Sequence, residues 1–137
     1  MFSFHTRPAI LLEYARNIRL TDISIHAHPG IGVIGNRCEN VTITGLSVVP
    51  SEGYHISVNT DATHFTSIKG FHRLENCTCI GQGDDFINVH TYYHRIARRE
   101  GDAAYLPQES TPDGTITQSL DYPDPEDIME LVSKDTL

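Results

Sequence analysis

Cysteine is scarce, long apolar runs are missing and positive charge is in deficit, and each shortage closes off a class of protein. Three cysteines, Cys38, Cys77 and Cys79, do not make a disulfide framework. Cys77 and Cys79 stand two apart, are expected to alternate across one strand onto opposite faces, and read as small apolar core fillers. No stretch approaches the ~18 consecutive apolar residues of a membrane helix. Met1-Phe2-Ser3-Phe4-His5 carries no basic head followed by a long apolar run, so no signal peptide is visible. With 10 basic against 18 acidic residues, net −8, neither a nucleic-acid backbone nor an anionic membrane is the expected partner.

The average hides a boundary. Residues 1–99 hold 9 Lys and Arg against 8 Asp and Glu, whereas residues 100–137 hold 1 against 10. The second segment also contains Pro107, Pro112, Pro123 and Pro125, and its only apolar stretches are Thr115-Ile116-Thr117 and Ile128-Met129-Glu130-Leu131-Val132. A helix capped by Asp124 and opened by Pro125 would suit the latter, but a short strand fits its surroundings better. Two regions are therefore expected: 1–99, and an acidic, proline-rich extension 100–137.

What the chain does have is a period. Asn17-Ile18-Arg19-Leu20-Thr21-Asp22-Ile23-Ser24-Ile25 is echoed 23 residues later by Asn40-Val41-Thr42-Ile43-Thr44-Gly45-Leu46-Ser47-Val48. Both alternate apolar and polar residues, rich in β-branched types, between turn-forming Gly, Asn and Pro, which is the pattern of half-buried strands. Repeats this short cannot bury their apolar face alone and must stack. The expected fold is all-β, a right-handed parallel β-helix, and a few rungs without caps would leave apolar ends in water, so the chain is expected to be a fragment. Phe65 to Phe71 echoes Thr42 to Leu46 at an offset nearer 25, and Leu74 to Ile80 reads as the next face. Asn40 and Asn76 open glycosylation sequons, but an asparagine ladder is the role expected of them here.

The same period links Asn59-Thr60-Asp61-Ala62-Thr63-His64-Phe65 to Gly83-Asp84-Asp85-Phe86-Ile87-Asn88-Val89-His90, since Asp84 lies 23 residues after Asp61. One rung apart, about 4.8 Å, Asp61 and Asp84 should be vertical neighbours, and Gly81-Gln82-Gly83 permits the dihedrals that turn both Asp84 and Asp85 outward. Taken alone, Gly-Asp-Asp is a common solvated turn; Asp61 one period earlier changes that balance. Carboxylates so close repel, which predicts that one of them binds a proton more tightly than a free aspartate. One protonated carboxyl to donate and ionised ones to polarise a water are what glycosidic hydrolysis requires. The same three carboxylates could bind a hard cation instead, although the two histidines make calcium less apt.

These two motifs, with the run from Arg7-Pro8-Ala9-Ile10-Leu11-Leu12-Glu13 to Val89-His90, resemble glycoside hydrolase family 110, the α-1,3-galactosidases, and more widely the family 28 polygalacturonases, which share an Asn-Thr-Asp segment followed by an Asp-Asp pair. The resemblance covers about the first two-thirds of the chain. It implies a β-helix enzyme that removes terminal α-1,3-linked galactose from glycans with inversion, extracellular or periplasmic, needing no metal or cofactor. By it Asp84 would be the proton donor, Asp61 and Asp85 would hold and activate the water, and His64, Asn88 and His90 would bind sugar hydroxyls or orient the carboxylates. The Gly-His-Gly and Arg-x-Lys with which polygalacturonases grip a uronate carboxylate have no counterpart in Thr91-Tyr92-Tyr93-His94-Arg95-Ile96, so a neutral galactoside is the expected partner. The acidic tail would then be part of an inserted β-rich domain.

Other residues are less telling. His26 and His28 share a strand face without a third ligand at a recognised spacing, and read as polar surface. Arg95, Arg98 and Arg99 read as a solvated cluster; Tyr92 or Tyr93 could stack on a sugar. Two competing functions remain: a non-catalytic carbohydrate-binding or structural module, in which the aspartates only solvate a turn, and a polygalacturonase- or lyase-like enzyme, the lyase using calcium and a basic residue.

Overall fold

Two kinds of residue shape the backbone: apolar side chains at every second position, and Asn, Asp and Gly where the chain turns. In the computed structural model, which describes residues 7–92, 94, 96–106, 123–125 and 127–132, the first kind forms short strands that recur in threes. The first circuit is β1 (Ile10–Glu13), β2 (Arg16–Thr21) and β3 (Ser24–Ile25). The second is β4 (Val33–Asn36), β5 (Glu39–Thr44) and β6 (Ser47–Val48). The third is β7 (Thr63–Thr66), β8 (Lys69–Glu75) and β9 (Thr78–Cys79), and β10 (Ile87–His90) begins a fourth. Each strand pairs in parallel with the strand three further on, giving sheets β1-β4-β7-β10, β2-β5-β8 and β3-β6-β9. No helix occurs among the described residues, so none is long and apolar enough to cross a membrane. The chain is all-β with parallel sheets, as its alternation predicts.

The register follows the 23-residue period only once. Ile10 pairs with Val33, Arg16 with Glu39 and Ser24 with Ser47, all 23 apart. Val33 then pairs with Thr63, 30 apart, because the connection from β6 to β7 is longer. The isolated bridges His28 to Val58 and Val58 to Gln82 bracket the excess within residues 49–57. In β8 a bulge adds one residue: Glu39 pairs with Lys69 but Val41 with His72. The offset of 25 expected between Thr42–Leu46 and Phe65–Phe71 is therefore wrong, since Thr42 pairs with Arg73 and Thr63 to Thr66 with Val33 to Asn36. Leu74 to Ile80 likewise is no single face: it crosses from β8 to β9 around Asn76.

The turns are columns of left-handed residues. Among the described residues, seven that are not glycine have φ of 50–56°, a region that, glycine aside, Asn and Asp enter at least cost. Tyr14, Arg37 and Ser67 end the strands of the first sheet; Asn17 and Asn40 share a column with Gly70; Asp22 and Asn76 share one with Gly45. The Asn40 side-chain amide donates to Asn17 Oδ1 at 3.1 Å, so an asparagine ladder exists. Asn76 is not in it, because the bulge and longer connection carry it to the next corner, above Gly45.

Inside, the inward positions stack by type. Ile18 lies below Val41, Leu20 below Ile43 and Leu74, and Ile25 below Val48 and Cys79. Gly35 stands where Leu12 and Phe65 stand in its column; a β-carbon there would run into the Phe65 ring, so the absent side chain is the room that the ring fills. Cys38 is buried, and Cys77 and Cys79 both pack against the same core. The expectation that these two point to opposite faces fails because residues two apart on an extended chain share a face, and it is Thr78 between them that points out to solvent. Ile87 and Val89 continue the columns of Thr63 and Phe65 but remain 44% and 52% exposed.

Contacts divide the chain into two units, Met1–Tyr92 and Tyr93–Leu137. In the second, β11 (Arg98–Glu100) and β12 (Ala103–Tyr105) form an antiparallel hairpin that turns at Gly101. Arg98 lies 4.3 Å from the Tyr105 ring and 3.3 Å from Glu100, and Arg99 donates to the Gly101 carbonyl, so these two arginines are engaged within the hairpin. Asp127 to Val132 is neither the expected strand nor a helix. Asp124 and Asp127 close a turn on each other instead, each donating its backbone N–H across it, at 2.9 Å. Thr115 to Thr117 lies outside the described residues.

Candidate functional site

Loops entering the first sheet bring the acidic residues together. Asn59, Thr60 and Asp61 lead into β7, and Gly83, Asp84 and Asp85 lead into β10. The two loops run side by side in parallel. Gly83 N–H donates to the Val58 carbonyl at 3.0 Å, Asp84 N–H to the Thr60 carbonyl at 3.3 Å, and Ala62 N–H to the Asp85 carbonyl at 2.9 Å. Gly83 is what lets them lie so close, because a β-carbon there would strike the Asn59 carbonyl. Gly81, at φ 73°, supplies the preceding turn.

Thr63 pairs with Ile87, 24 apart, so the residue directly over Asp61 is Asp85 and not Asp84 as the 23-residue spacing predicts. The extra residue of the β8 bulge accounts for the shift. Asp84 stands over Thr60 and still reaches the group: one carboxylate oxygen each from Asp61, Asp84 and Asp85 lies within 4.8 Å of the others. Asp61 is 5% exposed, while Asp84 and Asp85 are open to solvent. Such an oxygen set could also hold a hard cation.

Asp61 is held from several sides. His64 Nδ1 lies 2.5 Å from its Oδ2, the Asn88 amide donates to the same oxygen at 3.4 Å, and Asp85 N–H donates to Oδ1 at 3.4 Å. His64 and Asn88 are register partners on the outward face of β7 and β10, which is why both reach one carboxylate. His90, also outward on β10, places its Nε2 3.0 Å from His64 Nε2, with the rings nearly perpendicular, and its Nδ1 3.1 Å from the Thr91 carbonyl. The structure thus gathers all six residues singled out by motif: Asp61, Asp84 and Asp85 at the mouth of the sheet, His64, Asn88 and His90 along it.

The Thr91 carbonyl and the Tyr92 ring, which packs edge-on against His90 at 5.1 Å, join them. Of the two tyrosines that could offer a ring to a sugar, Tyr92 has its ring engaged with an imidazole, and Tyr93 lies outside the described residues. Only the alternation after His90 could have hinted at this, and it does not distinguish a ring on histidine from a ring on sugar. His26 and His28 stand apart from the group, each bonded to a backbone carbonyl, of Val49 and Arg7 respectively.

Fold and site together define a class: an all-β protein of parallel sheets with an acidic, imidazole-backed cluster at the strand entries of one sheet. Known proteins narrow it. No family model matches the chain. Alpha-1,3-galactosidase B of Parabacteroides distasonis is 32% identical over 102 residues, 72% of this chain and 17% of the relative. Alpha-1,3-galactosidase A of Shewanella woodyi is 36% identical over 92 residues, 66% and 15% of the two. Alpha-1,3-galactosidase B of Bacteroides fragilis is 32% identical over 98 residues, 69% and 16%. The resemblance to the α-1,3-galactosidases is therefore shown across most of the chain, which spans about one sixth of the length of these curated relatives.

Proposed function

We propose that this chain is the catalytic part of a right-handed parallel β-helix glycoside hydrolase that removes terminal α-1,3-linked galactose from glycans, acting from the chain end. The observation that carries the reading is the meeting of Asp61, Asp84 and Asp85 oxygens within 4.8 Å, in a segment that resembles α-1,3-galactosidases. A turn that merely needed solvation would not require Asp61, from the preceding circuit, to be buried and bonded to the same group.

In this reading Asp84, exposed at the mouth, donates a proton to the glycosidic oxygen as the bond to C1 breaks. A water held by Asp61 and Asp85 attacks C1 and gives up its proton to a carboxylate. The alcohol leaves carrying the proton of Asp84, and galactose carries the water's oxygen. His64 and Asn88 hold Asp61 in place, and His90 supports His64. No uronate-gripping pair lies in the motifs, and a neutral galactoside is the substrate class that fits.

One distance favours a second stereochemical course. Inverting carboxyl pairs are roughly 6.5–9.5 Å apart and retaining pairs only ~5–5.5 Å, and the oxygens here approach within 4.8 Å. A third carboxylate reconciles inversion with this crowding, because the water can be held between two of them while the third serves the leaving group. The anomer decides: β-galactose released first from an α-1,3-digalactoside, followed by NMR, is the inverting outcome, and α-galactose the retaining one. Asp84→Asn is expected to lower turnover by several orders of magnitude with the fold intact; activity near wild type would remove Asp84 from the acid role.

A further inference from the structure

The hydrogen bonds along the histidines contain a proton count. The Thr91 carbonyl can only accept, so His90 Nδ1 must carry a hydrogen. The contact between His90 Nε2 and His64 Nε2, at 3.0 Å, needs one hydrogen between two nitrogens. The contact between His64 Nδ1 and Asp61 Oδ2, at 2.5 Å, needs another. Three bonds need three protons, and two neutral imidazoles bring two. The third sits on one of the imidazoles or on the Asp61 carboxyl, and in every arrangement the trio of Asp61, His64 and His90 has zero net charge.

We propose that this histidine chain cancels the charge of Asp61 and thereby leaves Asp85 as the base that takes the proton of the attacking water. The proposal rests on the glycosidase reading above and assigns the roles within it. Asp61 Oδ2 already receives His64 and the Asn88 amide, so it can position a water through Oδ1 but has no uncompensated charge to draw a proton. Asp85 lies directly above it, exposed, and its carboxylate is not among the groups this chain neutralises. As the water oxygen bonds to C1, one of its protons passes to Asp85, the C1 to oxygen bond breaks, and the proton of Asp84 goes to the leaving oxygen. Transfer from Asp85 to its neighbour Asp84 then restores the starting state. His64 and His90 are positioning residues in this scheme. The groups in contact with them are the Asp61 carboxyl, the Thr91 carbonyl and the Tyr92 ring edge, and the Asn88 amide shares the Asp61 oxygen that His64 meets.

Two measurements test it. Nitrogen-15 spectra of the histidine-labelled, unsubstituted protein at neutral pH should show His90 with its Nδ1 protonated and hydrogen-bonded signals at both nitrogens of His64. A His90 protonated only at Nε2, or a His64 with a bare, unbonded Nδ1, would overturn the proposal. In the complete enzyme, azide should restore turnover of Asp85→Asn at least tenfold, releasing β-galactosyl azide, because azide attacks without needing a base, and should leave Asp61→Asn unrestored. Rescue of Asp61→Asn but not Asp85→Asn overturns it as well. The spectra require no turnover, so a protein without galactosidase activity would defeat the reading of function while the histidine chain is judged separately.

Discussion

Asp61 shows how much a single residue's meaning depends on what surrounds it. In sequence it is one aspartate of an Asn-Thr-Asp run; in the structure it is nearly buried and meets an imidazole, an amide and a backbone N–H. A buried carboxylate persists only when such partners satisfy it. Gly83 is equally dependent on place, because the Asp84-Asp85 turn can approach the Asn59 carbonyl only without a β-carbon. Gly83→Ala should therefore push the two aspartates away from Asp61. The expected result is a turnover loss of tenfold or more with a stability cost of about 1–3 kcal/mol, the range for forced overpacking. Urea midpoints and initial rates measured together check it, and unchanged rates would show that the loops need not touch.

At the scale of elements, the corners are more informative than the strands. Alternation identified β2, β5 and their neighbours directly, because period 2 with β-branched residues is visible in sequence. The left-handed columns were only partly legible: Asn17 and Asn40 stood out, whereas Tyr14, Arg37 and Ser67 carry no turn signature yet share φ of 50–51°. What they share is a place in the backbone ladder, each N–H donating to the last strand residue of the next circuit, Asn36, Thr66 and His90 respectively. Asn40→Ala is expected to cost about 1–2 kcal/mol, combining the left-handed penalty of an alanine with one lost side-chain bond. Chemical denaturation measures it, and Thr42→Ala, at a half-buried position on the same strand without a left-handed backbone, serves as the comparison. The excess in residues 49–57 and the bulge in β8 were invisible to period counting, since an excursion outside the sheets and an extra residue leave the alternation on each side intact.

For the whole molecule, two half-buried titratable groups among the described residues contribute to how stability depends on pH. His72 continues the column of Ile18 and Val41 and lies 4.2 Å from the Phe65 ring, with its Nε2 buried and unpartnered. Burial holds its imidazole below the ordinary range. The unfolded chain then binds the proton more readily than the folded one, so stability is fully present above the unfolded value of ~6.5 and is lost as pH falls through the folded value. Burial likewise pushes the Cys79 thiol up to about 11, with the neighbouring Cys77 adding to the rise and a backbone hydrogen bond at Val48 opposing it. A raised thiol value acts in the other direction: the unfolded chain releases its proton from ~8.5 upward, and stability falls as pH climbs from there. Urea midpoints from pH 5 to 10 should show a plateau between these limits. His72→Leu should flatten the acid side alone; an unchanged acid slope would assign it to other groups.

The sequence by itself determined the strand-forming alternation, the parallel all-β organisation that follows from a repeat too short to bury its own core, and the approach of Asp61 to the Asp84-Asp85 pair one period later. These are properties of residue type and spacing, which local physics reads directly, whereas His64, Asn88 and His90 were singled out by the resemblance of their motifs to those of the α-1,3-galactosidases. Only the tertiary structure decided which aspartate stands over which, and that Asp61 is bonded to His64 and through it to His90. Both depend on register, and register is the sum of every bulge and excursion along the chain. One added residue in β8 is enough to exchange Asp84 for Asp85 above Asp61.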